Sequence, residues 1–105
     1  MLKIYNTMLA TLTALRPAIE QIERSDSDLA KQMRRASTSV ALNIAEGSYA
    51  RGRNRKALYQ VALGSAKETR ACIDVALALG YLESVDGTAV SNLGSVCAVL
   101  YRLVT

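Results

Sequence analysis

The residues most able to do chemistry lie close together in the stretch MRRASTSVALNIAEGSYARGRNRK, Met33 to Lys56. Counting from Lys31, the basic residues are Lys31, Arg34, Arg35, Arg51, Arg53, Arg55 and Lys56, with Glu46 the one acid among them, a local charge of +6. The rest of the chain carries six basic and eight acidic residues, or −2. A positive charge held in one segment is an argument about polyanion partners rather than about fold. Arginine suits phosphate because its planar donors match the oxygens two at a time, and each phosphate neutralised releases counterions. Lys31, Arg34, Arg51, Arg53, Arg55 and Lys56 are therefore the candidate nucleic-acid contacts, with base-independent grip on the backbone expected. The bland alternative is a solvated loop and an exposed helix face.

Catalysis finds little support. There is no histidine, so imidazole acid–base chemistry and imidazole metal ligation have no candidate. Cys72 and Cys97 fall on apolar helical stripes, where a small packing role suits them better than a nucleophilic one. Glu46 has no carboxylate beside it, which makes a poor cation site. Gly64 and Ser65 sit inside a helical pattern rather than in a phosphate loop, and small residues there suit close packing. No enzyme activity, cofactor or metal is expected.

Elements must position the basic residues, and composition limits which. A chain of 105 residues with half its side chains apolar, no Trp, no Phe, one Pro and six Gly is a single domain, 1–105, with an aliphatic core and long helices. The opening MLKIYNTMLATL lacks the charged leader, apolar run and cleavage site of a signal peptide. No run of roughly eighteen apolar residues occurs. The expectation is a cytoplasmic protein with no membrane partner.

Four helices follow from the apolar periodicity. The first covers about 2–24, with Tyr5, Met8, Leu9, Leu12, Leu15, Ile19 and Ile22 as its stripe and a kink near Pro17, where a hydrogen bond is lost. Ser25 or Asp26 can cap the second, about 27–51, whose core stripe is Leu29, Met33, Ala36, Val40 and Ile44. Gly52 is expected to terminate it. The third, about 54–79, turns inward Leu58, Ala62, Ser65, Ala66, Thr69, Cys72, Ile73, Ala76 and Leu79, and ends at Gly80. Asp86 caps the fourth, about 87–104, with Val90, Leu93, Cys97, Leu100 and Val104 inward. Short loops make neighbours antiparallel, so the fold class is all-α, an up-down-up-down four-helix bundle.

The second helix has two further features. Leu42, Ala45 and Tyr49 lie opposite its core stripe, so its later turns are apolar all round and need covering on both sides. A subunit interface or another helix of the same chain would provide that cover. The interface is the reading adopted here, and self-association the partner expectation. Arg35, Ser39, Asn43 and Glu46 form a strip at the core's edge, where polar groups need partners. Arg35 and Glu46 are roughly 16 Å apart along the axis, so each must pair outside its own helix. A structural hydrogen-bond network is the simpler reading of the strip, a binding cluster the other.

The segment QMRRASTSVALNIAEGSYARGRNRKALYQVALGSAKE resembles the family of four-helix-bundle proteins encoded by intervening sequences in bacterial 23S ribosomal RNA genes. Gln32, Arg34, Arg35, Ala36, Ser39, Val40, Asn43, Ile44, Ala45, Glu46 and Gly47 carry the first part of the likeness, and Gly64, Ser65 and Glu68 the second. Tyr59 stands where the family often has Phe. The first helix, with LRPAIEQIERS, is similar to accessory proteins of diversity-generating retroelements. The resemblance implies a homopentameric ring. In the retroelement branch it implies a basic surface for RNA or DNA and a reverse transcriptase partner. A scaffold that docks a protein without touching nucleic acid is the other function class open to such a ring.

Overall fold

The computed structural model describes residues 2–105. It contains α1 (Lys3–Ser25), α2 (Ser27–Tyr49), α3 (Gly52–Ala78) and α4 (Gly87–Val104). Each helix packs against its neighbours in the chain, and α4 closes the square against α1. This is the up-down-up-down bundle. Its long dimension of 42 Å is close to the roughly 40 Å that a helix of α3's length spans at 1.5 Å per residue.

The turns are set by short-range chemistry. Asp26 alone joins α1 to α2. Its backbone N–H donates to the Ile22 carbonyl at 2.8 Å, closing α1. Its carboxylate accepts from the Leu29 N–H at 2.9 Å, opening α2. Asp86 does the second job for α4, accepting from the Thr88 N–H at 2.8 Å. Gly80, at φ +76, ends α3. Its N–H donates to the Leu77 carbonyl, and the Tyr81 N–H reaches back to Ala76, a pairing that satisfies the last carbonyls and needs a left-handed residue.

Gly52 departs from expectation. α2 stops at Tyr49, and Ala50 and Arg51 are extended. Gly52, at φ +57, begins α3 instead of closing α2. The chain reverses over two extended residues, and the glycine absorbs the change of direction into the next helix.

The core is aliphatic, with Met8, Leu15, Ile22, Met33, Ile44, Ile73, Leu93 and Leu100 fully buried. α1 is rotated slightly from the expected stripe. Ile4 and Thr11 are inside and Leu9 is exposed. Thr11 can be buried because its hydroxyl donates to the Thr7 carbonyl at 2.8 Å. α1 runs through Pro17 without a break, and Pro17 and Thr13 both face outward. The Thr13 carbonyl that the proline leaves unpaired is thus on the solvent side. α3 buries Tyr59 and Leu63, while Leu58 is only half-buried and Leu79 is exposed. α4 buries Ala89, Leu93, Val96 and Leu100. Its length and mean hydropathy of 1.2 would suit a membrane span, but those four residues are part of the bundle core.

Candidate functional site

The fold splits the basic segment into two groups. Lys31, Arg34 and Arg35 stand on the first half of α2, and Arg51, Arg53, Arg55 and Lys56 on and after the turn into α3; all seven are exposed. Arg35 and Arg51 are sixteen positions apart, roughly 24 Å at helical rise. One block in the sequence is two patches, one on α2 and one at the turn into α3.

The members differ in what they already hold. Arg34 donates to Glu23 of α1 at 3.0 Å, with both side chains about half exposed, an exposed pair of small energetic consequence. Arg55 is committed to the fold. Its Nε donates to the carbonyls of Gly47 at 3.1 Å and Ala50 at 2.9 Å, and Nη2 reaches the Ser48 carbonyl at 3.5 Å. It thus caps the C-terminal end of α2, where orphan carbonyls and the helix dipole favour a cation. Arg55, one of the expected phosphate contacts, thus has a structural role as well. A basic residue just past a helix end was the available signal, hidden because the helix end itself was misplaced. Arg51, Arg53 and Lys56 make no ion pair among the described residues. They surround the start of α3, which has no side-chain cap and no acid in its first turn. Cations at a helix N-terminus face the positive end of the dipole. An anion there would be stabilised by the free N–H groups and the arginines together.

The polar strip separates in two. Ser65 of α3 donates its hydroxyl to Ser39 Oγ at 2.9 Å, and Asn43 Nδ2 donates to the Ser39 carbonyl at 2.9 Å and to Ser39 Oγ at 3.1 Å. This small network ties α2 to α3. Arg35 and Glu46 take no part. Both are exposed, and neither makes a hydrogen bond or ion pair with another described residue. Of the two partners expected for them, another helix or another subunit, the first does not occur among the described residues. Ser39 and Asn43 point along the α2–α3 seam, and Arg35 and Glu46 lie one step further round α2, in water.

Gly47 makes room for the Tyr59 ring of α3. A Cβ there would fall 2.3 Å from Cε1 and 2.7 Å from Cδ1 of Tyr59. Gly64, for which a packing role was expected, meets nothing within 4 Å. Leu42 is 59% exposed and Tyr49 82% exposed, with Ala45 half-buried. Among the described residues, no helix covers this ridge.

The cysteines are free. Burial, with a smaller contribution from Glu68, pushes the Cys72 thiol up. Burial also pushes Cys97 up, partly opposed by Lys67 and Arg70.

Residues 2–100 match the family model described as 23S rRNA-intervening sequence protein. The chain belongs to that family. A solved structure from the S23 ribosomal protein family, of a Bacteroides thetaiotaomicron VPI-5482 protein with unknown function, superposes with a TM-score of 0.79 at 17% identity. The match covers 97% of this chain and 98% of the other. At that identity the likeness concerns the fold, so this intervening-sequence-family bundle shares its helix arrangement with the Bacteroides protein. Among proteins of curated function, none matches the chain.

Proposed function

We propose that this member of the intervening-sequence family is a non-enzymatic, oligomeric accessory protein that binds RNA or DNA through phosphate contacts with little sequence preference. The observation that carries the reading is the set of three cations without ion partners among the described residues, Arg51, Arg53 and Lys56, around the uncapped start of α3. Lys31 and Arg35 extend the positive surface along α2. Assembly through the uncovered ridge, expected from Leu42, Ala45 and Tyr49 and needing only the first two, would repeat this surface around the pentameric ring that the resemblance implies. A cytoplasmic location and a reverse transcriptase partner, as in the retroelement branch, are consistent with this reading.

Protein docking without nucleic acid is a second reading, favoured by the exposed Leu42 on α2, Val61 on α3 and Leu79 just past the end of α3. The two respond differently to salt, because phosphate contacts weaken steeply as counterions are added and apolar docking does not. The test is Arg53→Glu combined with Lys56→Glu, which leaves the Arg55 cap in place. Binding to single- and double-stranded oligonucleotides should fall by a similar factor, and the dependence of affinity on salt should flatten. Failure of the wild-type protein to retain any nucleic acid at low salt would leave the docking reading in possession.

A further inference from the structure

Tyr49 has no evident work in the fold. It ends α2 and is the most exposed of the large apolar side chains. Tyr59, by contrast, is 4% exposed and lies against Gly47. Tyr49 forms one wall of an open cleft whose other walls are Leu2, Ser48, Arg55 and Tyr59. The Arg55 guanidinium in that cleft is anchored to the end of α2, with contacts to the carbonyls of Gly47, Ser48 and Ala50. An exposed aromatic face and an anchored planar cation therefore line the same opening. Around it in the chain stand Arg51, Arg53 and Lys56, and Glu46 is the nearest acid in sequence.

Resting on the polyanion reading above, we propose that this cleft accepts an unpaired nucleobase, stacked on the ring of Tyr49, with flanking phosphates drawn to Arg51, Arg53 and Lys56. Single strands are then preferred to duplexes. Every base has a π-face, so stacking on an aromatic platform is tolerant of sequence. A base inside a duplex is already stacked on both faces and does not reach a side chain on a protein surface. Charge selects the occupant. An apolar patch from a second copy would cover Tyr49 but would bring nothing to answer the cations beside it. A strand of nucleic acid supplies both the flat apolar surface and the negative charge.

The test uses the full chain and a labelled single-stranded RNA alongside its duplex, at one low salt concentration. Tyr49→Ala should weaken single-strand binding by about tenfold, in line with the loss of one stacked base, and change duplex binding by less than about twofold. Tyr49→Trp should keep single-strand binding. The chain has no other Trp, so that variant's fluorescence reports the site directly and should be quenched by the single strand. Equal weakening for both nucleic acids, no weakening for either, or a fall in assembled mass by light scattering on Tyr49→Ala would overturn the stacking role. In the last case Tyr49 belongs to a protein interface. Wild-type protein that binds neither nucleic acid would overturn the polyanion reading itself and this inference with it.

Discussion

Gly47→Ala isolates the contact that fixes the spacing of α2 and α3. Alanine is the better helix former by about 1 kcal/mol, so on propensity alone the change should stabilise. The new Cβ, however, would sit 2.3, 2.7 and 3.1 Å from three ring atoms of Tyr59. Ordinary carbon contacts begin near about 3.5 Å, so the overlap exceeds one ångström. The ring is buried, and moving it means leaving its place in the core or separating the helices. Overpacking of this kind costs about 1–3 kcal/mol, and more if the aromatic is expelled. Net destabilisation of up to about 2 kcal/mol should remain after the propensity gain, lowering the melting temperature by as much as roughly 10 °C in a domain of this size. Gly64→Ala is the control, because that glycine is exposed, helical and has nothing within 4 Å of a Cβ. It should raise stability by about 0.5–1 kcal/mol. Both variants are followed by circular dichroism during thermal and urea unfolding at one protein concentration, since assembly would make stability concentration-dependent. If Gly47→Ala matches or exceeds the wild type, Tyr59 does not set the helix spacing. A loss for Gly64→Ala would mean that another chain covers α3 at that point.

Arg55→Ala removes the donors from the last carbonyls of α2. Stability should fall by about 0.5–1.5 kcal/mol, below the roughly 1.5–3 kcal/mol of charged hydrogen bonds because the side chain is exposed, and Arg55→Lys should recover only part of it. Urea unfolding measures both. The thiols should alkylate more slowly in the native chain than in the unfolded one at mildly alkaline pH, because the thiolate is the reactive form and burial raises both pKa values. Half-buried Cys97 should react before buried Cys72, which mass spectrometry of the labelled chain can order. The linkage has a definite sign. The folded chain keeps these protons longer, so stability is fully present below the unfolded thiol pKa and declines as pH rises through the folded one.

The caps were legible because they are local. Asp26, Asp86 and Gly80 act within four residues of themselves, and sequence spacing contains all the geometry they need. Positions governed by contact between helices were less legible. Thr11 reads as a surface residue until its hydroxyl finds the carbonyl one turn back. Leu9 reads as core until the rotation of α1 is known. The end of α2 was placed two residues late because glycine usually follows a helix, whereas here the cap is supplied from the next helix by Arg55. Among the candidate site residues, the charges were readable and their commitments were not. Nothing in RGRNRK distinguishes Arg55 from Arg53 before the turn is built. A helical wheel gives Arg35 and Glu46 an angle but no depth, so it does not separate a partner within the chain from one on another subunit.

The residues for which one chain has no use are concentrated on two helices. Within the block NIAEG, Asn43 joins the link to α3, Ile44 is core and Gly47 makes room for Tyr59. Glu46 has no ion partner among the described residues. Arg35 is in the same position on the same helix. Leu42 and Val61 are more than half exposed, and Gly64 forgoes roughly 1 kcal/mol of helix propensity without relieving any clash. A lone exposed Leu9 or Leu103 needs no explanation. A run of unpaired charge, bare leucine and unneeded glycine on α2 and α3 does, and the basic turn joins those same two helices. The assembly and nucleic-acid readings are therefore linked through one layer of the bundle. A neighbour covering Leu42 would bury surface midway along α2 and leave Arg51, Arg53 and Lys56 free at its end. Tyr49 stands between those two regions, which makes it the residue whose substitution best separates the two readings.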